Sequence, residues 1–224
     1  MNYVISDIHG NYDKYKEMLD KIRFSDEDTL YVLGDCTDRG KKGIDIWLDL
    51  MNRSNVTMIM GNHDDMALKT MRAWRHPELF DGEVQEGTEL WMYNGGRSTL
   101  EAFINQPESM QDKIIRFVSS FSTFKQIEVN GKRYFLAHSI GEHGKCEIDK
   151  YSYYDYIWER PDYSKCYDPD VILITGHTPT YFIDKEYKGR IYQGNNHIAI
   201  DCGAAYQDGR LGCICLDTME EFYI

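Results

Sequence analysis

Leu30-Tyr31-Val32-Leu33-Gly34-Asp35-Cys36-Thr37-Asp38-Arg39-Gly40 is the stretch from which the fold can be read. Four apolar, β-prone residues stop at a glycine, and two carboxylates and an arginine follow at once. The same event occurs on either side. Upstream, Tyr3-Val4-Ile5 runs into Ser6-Asp7-Ile8-His9-Gly10-Asn11. Downstream, Val56-Thr57-Met58-Ile59-Met60 runs into Gly61-Asn62-His63-Asp64. Between Asp7 and Asp35 the chain advances 28 residues, and between Asp35 and Asn62 it advances 27; this is the length of one βα unit. The intervening segments carry apolar residues at helical spacing: 12, 15, 18, 19 and 22; then Ile44, Trp47, Leu48 and Met51; then Met66, Ala67, Thr70, Met71 and Trp74. A β-α-β-α-β-α order implies parallel strands with helices against the sheet. In such folds ligands sit beyond the carboxyl ends of the strands, where Asp7, His9, Asp35 and Asn62 lie.

The rest of the chain departs from this rhythm. Residues 76–97 contain Pro77, Gly82, Gly87 and Gly95-Gly96 and read as an irregular insertion with a short helix around Leu90-Trp91-Met92, either a solvated loop or a substrate lid. Residues 98–104 and 108–121 read as helices. Asn130-Gly131 is a two-residue hairpin signal between strands at 123–129 and 132–137. The second of these ends at Ala137-His138. Residues 141–170 are tyrosine-rich and loop-like. Val171-Ile172-Leu173-Ile174 reads as a buried strand ending in Gly176-His177-Thr178-Pro179. Residues 190–192, 197–201, 211–216 and 221–223 read as short antiparallel strands. The chain thus begins as α/β and ends β-rich. The expectation is one domain over 1–224, an α/β (α+β) two-sheet sandwich with helices outside.

Composition narrows the class. No apolar run reaches the roughly 18–20 residues of a membrane span, so no membrane association is expected. The first residues already read as strand, so no signal peptide is expected. Six cysteines without a CxxC pair point to reduced thiols and a cytoplasmic location. Cys213 and Cys215 alternate along a strand and read as core thiols. A net charge of −12 repels polyanions, so no nucleic-acid partner is expected, while a small phosphate ester remains compatible. The pattern specifies no oligomeric state.

Asp7, His9, Asp35, Asn62, His138 and His177 all follow apolar strands. Two carboxylates, one amide oxygen and three imidazoles suit Mn²⁺, Fe or Zn²⁺ better than Ca²⁺, and the set lacks the thiolates of a structural zinc site. Six ligands are too many for one catalytic ion with an open position and right for two ions sharing a carboxylate. Two metals about 3.5–4 Å apart can activate a water and clamp phosphate oxygens.

These blocks resemble, in order, those of the phosphoprotein phosphatase family of calcineurin-like metallophosphoesterases, in its bacterial and phage branch. Gly34-Asp35-Cys36-Thr37-Asp38-Arg39-Gly40 is similar to Gly-Asp-x-x-Asp-Arg-Gly, Gly61-Asn62-His63-Asp64 to Gly-Asn-His-Glu/Asp, and Ser6-Asp7-Ile8-His9-Gly10 to Gly-Asp-x-His-Gly with Ser6 for the first glycine. The resemblance implies the calcineurin-like αββα fold and two divalent ions, Mn²⁺ first, with Fe or Zn²⁺ as alternatives. It implies that Asp7 and His9 hold one ion, Asp35 bridges, and Asn62, His138 and His177 hold the other. It implies His63 as general acid oriented by Asp38, and Arg39 and Arg160 (in Ile157-Trp158-Glu159-Arg160) on phosphate oxygens. Arg97, after Gly95-Gly96, is a further candidate for phosphate; its rival reading is a solvated helix-start residue. Asp201-Cys202-Gly203 resembles a supporting block. His76, His143 and His197 match none. The last block lacks the second histidine that follows Gly-His in many other metallophosphoesterases, which points to the phosphatase branch. The activity implied is direct hydrolysis of phosphomonoesters by metal-activated water, with a phosphoserine/threonine protein, or a dual-specificity or small phosphate-ester substrate. The alternatives are a symmetrical dinucleoside tetraphosphate hydrolase and a silent metal-binding module.

Overall fold

The structure, a computed structural model, describes residues 1–224. In chain order its elements are β1 (Asn2–Ile5), α1 (Tyr12–Lys21), β2 (Thr29–Val32), α2 (Gly43–Met51), β3 (Val56–Met58), α3 (Asn62–Arg75), α4 (Gly82–Tyr93), α5 (Arg97–Ile104) and α6 (Glu108–Ser119). There follow β4 (Phe124–Val129), β5 (Lys132–Ala137), α7 (Tyr153–Ile157), β6 (Val171–Thr175), α8 (Thr180–Ile183), β7 (Tyr192–Gly194), β8 (His197–Ala199), β9 (Gly212–Cys215) and β10 (Glu221–Tyr223). They form two five-stranded sheets, β10-β9-β1-β2-β3 and β4-β5-β6-β8-β7. β1, β2 and β3 are parallel, as the βα spacing requires.

Alternation along the strands explains the layering. Val4, Tyr31, Leu33 and Ile59 of one sheet join Tyr134, Leu136, Ile174 and Ile198 of the other in a buried cluster. Their strand neighbours Tyr3, Ile5, Leu30, Val32, Phe135, Ala137 and Leu173 belong to a larger cluster that also holds apolar residues of α1, α2, α3 and α6. The central strands β1, β2, β5 and β6 therefore bury both faces, one against the opposite sheet and one under helices or loops, while the edge strand β4 exposes Lys125, Gln126 and Glu128. Full burial of one such side chain contributes roughly 1.5–3 kcal/mol.

Two expectations are corrected. Residues 82–93 form a twelve-residue helix in place of irregular chain. Glycine costs a helix about 1 kcal/mol per position relative to alanine. Here Asp81 caps the start by accepting from the Val84 N–H at 2.9 Å, and Trp91 is fully buried at the other end. Second, the last strands are not all antiparallel: β7 and β8 form a hairpin, but β8 runs parallel to β6. The hairpin turn is Asn195-Asn196, both at positive φ (50° and 58°), which asparagine tolerates.

The carboxyl ends of β1, β2, β3, β5 and β6 converge. Their turns are packed backbone to backbone. Gly34 has φ +78°, and a Cβ there would stand 2.5 Å from the Gly61 nitrogen. Gly34→Ala should therefore destabilise the fold by at least about 2 kcal/mol, read as a lower urea midpoint. His197, on β8, is buried with Nε2 on the Thr175 hydroxyl at 2.8 Å. Burial pulls its pKa down to about 3. A depressed histidine contributes stability present above its unfolded pKa near 6.5 and lost as pH falls toward 3. His197→Gln should thus flatten the acid side of the stability curve between about pH 6.5 and 5, measured by denaturation at each pH.

Candidate metal centre and cleft

At the convergence lies a cleft of about 200 Å³ lined by Asp7, His9, Asp35, Arg39, Asn62, His63, Asn94, Trp158, Arg160, His177, Pro179, Phe182 and Tyr206. Residues from all three amino-terminal turns and from the segment after β6 are thus neighbours. His138, fully buried, lies beneath, with Nε2 3.5 Å from Asp35 Oδ2 and 3.1 Å from Asn62 Oδ1.

The backbone at this point is unusual. Asp7 (51°), His9 (47°), Asp35 (54°), Asp38 (71°), Arg39 (62°) and His177 (63°) all have positive φ. Non-glycine residues seldom adopt this region, and a cluster of them marks a functional site. The conformation is held by hydrogen bonds between turns: Asp7 N to Gly34 O at 3.1 Å, His9 N to Asp35 O at 2.9 Å and Gly10 N to Cys36 O at 2.8 Å.

Each imidazole is anchored by one nitrogen. His9 Nδ1 donates to Thr37 O at 3.1 Å, His138 Nδ1 to Leu33 O at 2.6 Å, and His177 Nε2 to Trp158 O at 3.0 Å. A carbonyl only accepts, so the other nitrogen of each neutral ring carries a lone pair. Burial pulls His177 down to about 3 and His9 well below its ordinary value, which keeps both rings neutral. Those lone pairs face further acceptors. His9 Nε2 is 3.7 Å from Asp35 Oδ2 and 3.8 Å from Asp7 Oδ1. His177 Nδ1 is 3.1 Å from Asn62 Oδ1. Acceptors converging on acceptors in a buried site are satisfied by a cation between them. The donor set of neutral imidazole, carboxylate and amide oxygen fits divalent transition ions. Two groups, His9–Asp35–His63 and Asp35–His138–His177, bring ligand atoms within 4.8 Å of one another and share Asp35.

The carboxylates are split by function. Asp35 Oδ1 accepts the His63 N–H at 3.0 Å, leaving Oδ2 to the imidazoles. Asp7 Oδ2 accepts the His177 N–H at 3.0 Å and the Ser6 hydroxyl, leaving Oδ1 toward His9. Burial pushes the Asp7 carboxyl up, and the neighbouring Asp35 adds to this. Asp64 supports from behind: its Oδ2 accepts the N–H groups of Asp35 at 2.8 Å and Gly61 at 3.1 Å. Burial and the Asp35 charge push its pKa up to about 7.

His63 occupies the first turn of α3. Its Nδ1 donates to Asp38 Oδ2 at 2.6 Å, and its Nε2 accepts from Arg39 at 3.2 Å. Burial disfavours the imidazolium, but Asp35 and Asp38 outweigh it and raise the pKa. Asp38 is fully buried and also accepts from Trp91 Nε1 and Thr99 Oγ1, both at 2.6 Å. Sequence reading missed Trp91 and Thr99; the only signal available for either was its place beside Gly95-Gly96. Asn94, also missed, is in the cleft wall. Arg97 is not: it is exposed and absent from the lining. Successive helix residues are rotated by about 100°, and Ser98 and Thr99, bonded to Gly40 O and Asp38, take the face toward the site. Arg160 lines the cleft with its Nη1 donating to the Thr178 hydroxyl at 3.2 Å. Asp201 is buried behind, its carboxylate accepting the Gly203 N–H at 2.8 Å.

The calcineurin-like phosphoesterase family model matches residues 3–207. This chain belongs to that family. Among curated members, serine/threonine-protein phosphatase 2 of Salmonella typhimurium is 27% identical over 172 residues, which is 76% of this chain and 66% of that protein. The symmetrical bis(5′-nucleosyl)-tetraphosphatase of Buchnera aphidicola is 38% identical over 64 residues, 28% of this chain and 23% of that one. The chain thus spans less than two thirds of the length of either relative. A crystal structure of a candidate diadenosine tetraphosphatase superposes with a TM-score of 0.68 at 17% identity, covering 100% of this chain and 92% of that one, and shows the same metallophosphoesterase fold. No helix is long and apolar enough to cross a membrane.

Adding Mn²⁺ or Zn²⁺ to the chelated protein should raise its Tm, since a ligand bound only by the folded state stabilises it by mass action. Asp35→Ala should remove most of that rise, and calorimetric titration should show the lost ion binding directly.

Proposed function

We propose that this chain acts, as one domain, as a two-metal phosphomonoesterase on phosphoserine and phosphothreonine in proteins. The observation that carries the reading is the set of three anchored imidazoles whose free nitrogens converge on Asp7, Asp35 and Asn62, with Arg39, Arg160 and the His63–Asp38 pair around the same cleft. Asp7 and His9 would hold one ion, Asn62, His138 and His177 the second, and Asp35, which belongs to both ligand groups, would be shared between them. Mn²⁺ is the first choice, with Fe and Zn²⁺ compatible with the same donors. Bound there, such ions supply an activated water and charge neutralisation for phosphoryl transfer.

The chain's own residues do the rest. Arg39 and Arg160 bind phosphate oxygens, for which the guanidinium fork is suited. Arg39 lies against His63 Nε2 before substrate arrives, so a phosphate that draws the guanidinium away frees that nitrogen. With Nδ1–H held by Asp38, protonated His63 presents Nε2–H to the leaving alkoxide. Asp38, whose carboxylate also accepts from Trp91 and Thr99, is fixed in place and keeps the ring oriented. The unpaired cysteines fit a reducing compartment such as the cytoplasm.

The serine/threonine assignment draws on the Salmonella phosphatase. The tetraphosphatase match, at 38% identity over 64 residues, supports a second reading as a symmetrical dinucleoside tetraphosphate hydrolase. Release rates from a phosphoserine peptide and from diadenosine tetraphosphate separate the two. Protein supplied with Mn²⁺ should hydrolyse p-nitrophenyl phosphate, and Asp35→Ala should abolish this. His63→Gln should lower kcat by roughly 10²–10⁴ for an alkyl phosphate while ion content is kept. Full turnover in Asp35→Ala would refute the mechanism.

A further inference from the structure

Three consecutive residues of one turn are clipped to the junction of α4 and α5. The Asp38 N–H donates to Thr99 Oγ1 at 2.9 Å, the Arg39 N–H donates to Gly95 O at 3.1 Å, and Gly40 O accepts from the Ser98 hydroxyl at 2.8 Å. Asp38 and Arg39 are held there at positive φ, 71° and 62°. The Asp38 side chain is gripped from the same place. Thr99 Oγ1, which accepts from the Asp38 N–H, donates its own proton to Asp38 Oδ1 at 2.6 Å. Trp91 Nε1 donates to Oδ2 at 2.6 Å, the oxygen that also takes the His63 Nδ1–H at 2.6 Å. Both carboxylate oxygens are therefore committed, and turning the carboxylate would break bonds to two helices. Asp38, Trp91, Thr99 and His63 are all buried. The indole is itself seated closely: a Cβ on Gly96 would stand 2.5 Å from its ring.

Neither Trp91 nor Thr99 lines the cleft. Any effect they have on the reaction must pass through Asp38 and His63, and only one part of the reaction feels that line. As the P–O bond breaks, its electron pair goes to the leaving oxygen. That oxygen takes the proton from His63 Nε2, while the Nδ1–H stays on Asp38 and the ring ends neutral. A serine or threonine alkoxide is strongly basic and leaves poorly unless it is protonated as it departs. p-Nitrophenolate is stable as the anion and leaves unaided. Misaiming the Nε2–H therefore slows the first class and spares the second.

Resting on the phosphomonoesterase reading with His63 as its acid, we infer that Trp91 and Thr99 are positioning residues that aim His63 through Asp38. They thereby determine how well the enzyme handles alkyl leaving groups such as those of phosphoserine and phosphothreonine. Misplacing a reacting group by about 1 Å can cost on the order of 10²-fold in rate.

The test uses the full chain loaded with Mn²⁺ and compares kcat for a phosphoserine peptide with kcat for p-nitrophenyl phosphate. In Trp91→Phe, which removes the N–H and keeps an aromatic ring, the ratio of the first to the second should fall about ten-fold. Thr99→Val, which keeps the shape and loses the hydroxyl, should lower the ratio likewise. Thr99→Ser, which keeps the hydroxyl, should hold most of it. Manganese content, measured by atomic absorption, should be retained in all three. In a His63→Gln background, Trp91→Phe should lower the ratio no further, because nothing is left to aim. The two positions lie on different helices, so a folding failure at one leaves the other to decide. A ratio unmoved in the folded variants, an equal loss on both substrates, or a further drop in the His63→Gln background overturns the positioning role and leaves the acid assignment standing. A ratio unmoved by His63→Gln itself overturns the acid assignment, and this inference with it.

Discussion

Two carboxylates, Asp7 and Asp35, are buried in one small space, each with one oxygen tied to backbone N–H and the other facing imidazole lone pairs. Buried like charges repel and are poorly solvated, so such an arrangement is stable only when something cationic is shared. The rest of the architecture serves to hold those groups together against this cost. Parallel strands deliver three turns to one edge, glycines let the turns touch, and a second sheet brings two more imidazoles. Six residues of the cleft and its turns, Asp7, His9, Asp35, Asp38, Arg39 and His177, adopt positive φ, so the site is built into the turns that close the scaffold.

How much of this was legible follows from how local each signal is. The βα repeat, the ligand-type residues after each strand and the Asn130-Gly131 hairpin are encoded within a few residues, and the sheets follow them. Residues 82–93 were misread because glycine content is a local penalty, whereas the burial of Trp91 that offsets it is tertiary. Arg97 was credited for its place after Gly95-Gly96, but the direction of a helix-start side chain depends on how the helix is docked, and Ser98 and Thr99 decide that. The partners of Asp38 were invisible for the same reason: Trp91 and Thr99 lie 53 and 61 residues away.

Asp38 is the point where the proposed acid and the helical packing meet. The imidazole of His63, an indole from α4 and a hydroxyl from α5 all close on one buried carboxylate. The orientation of the proposed acid therefore depends on two helices that contribute no other catalytic group, which gives residues 82–104 a reason to be present.

The bond from His138 Nδ1 to the Leu33 carbonyl crosses from one sheet of the sandwich to the other. At 2.6 Å it tolerates little sliding. Face-to-face sheets are otherwise joined mainly by apolar contacts, which resist separation well and lateral shear poorly. This strut converts any shear of one sheet over the other into a displacement of an imidazole at the cleft. The sandwich thus behaves mechanically as a jig: its alignment, and not only its cohesion, sets the spacing at which the two halves of the site meet.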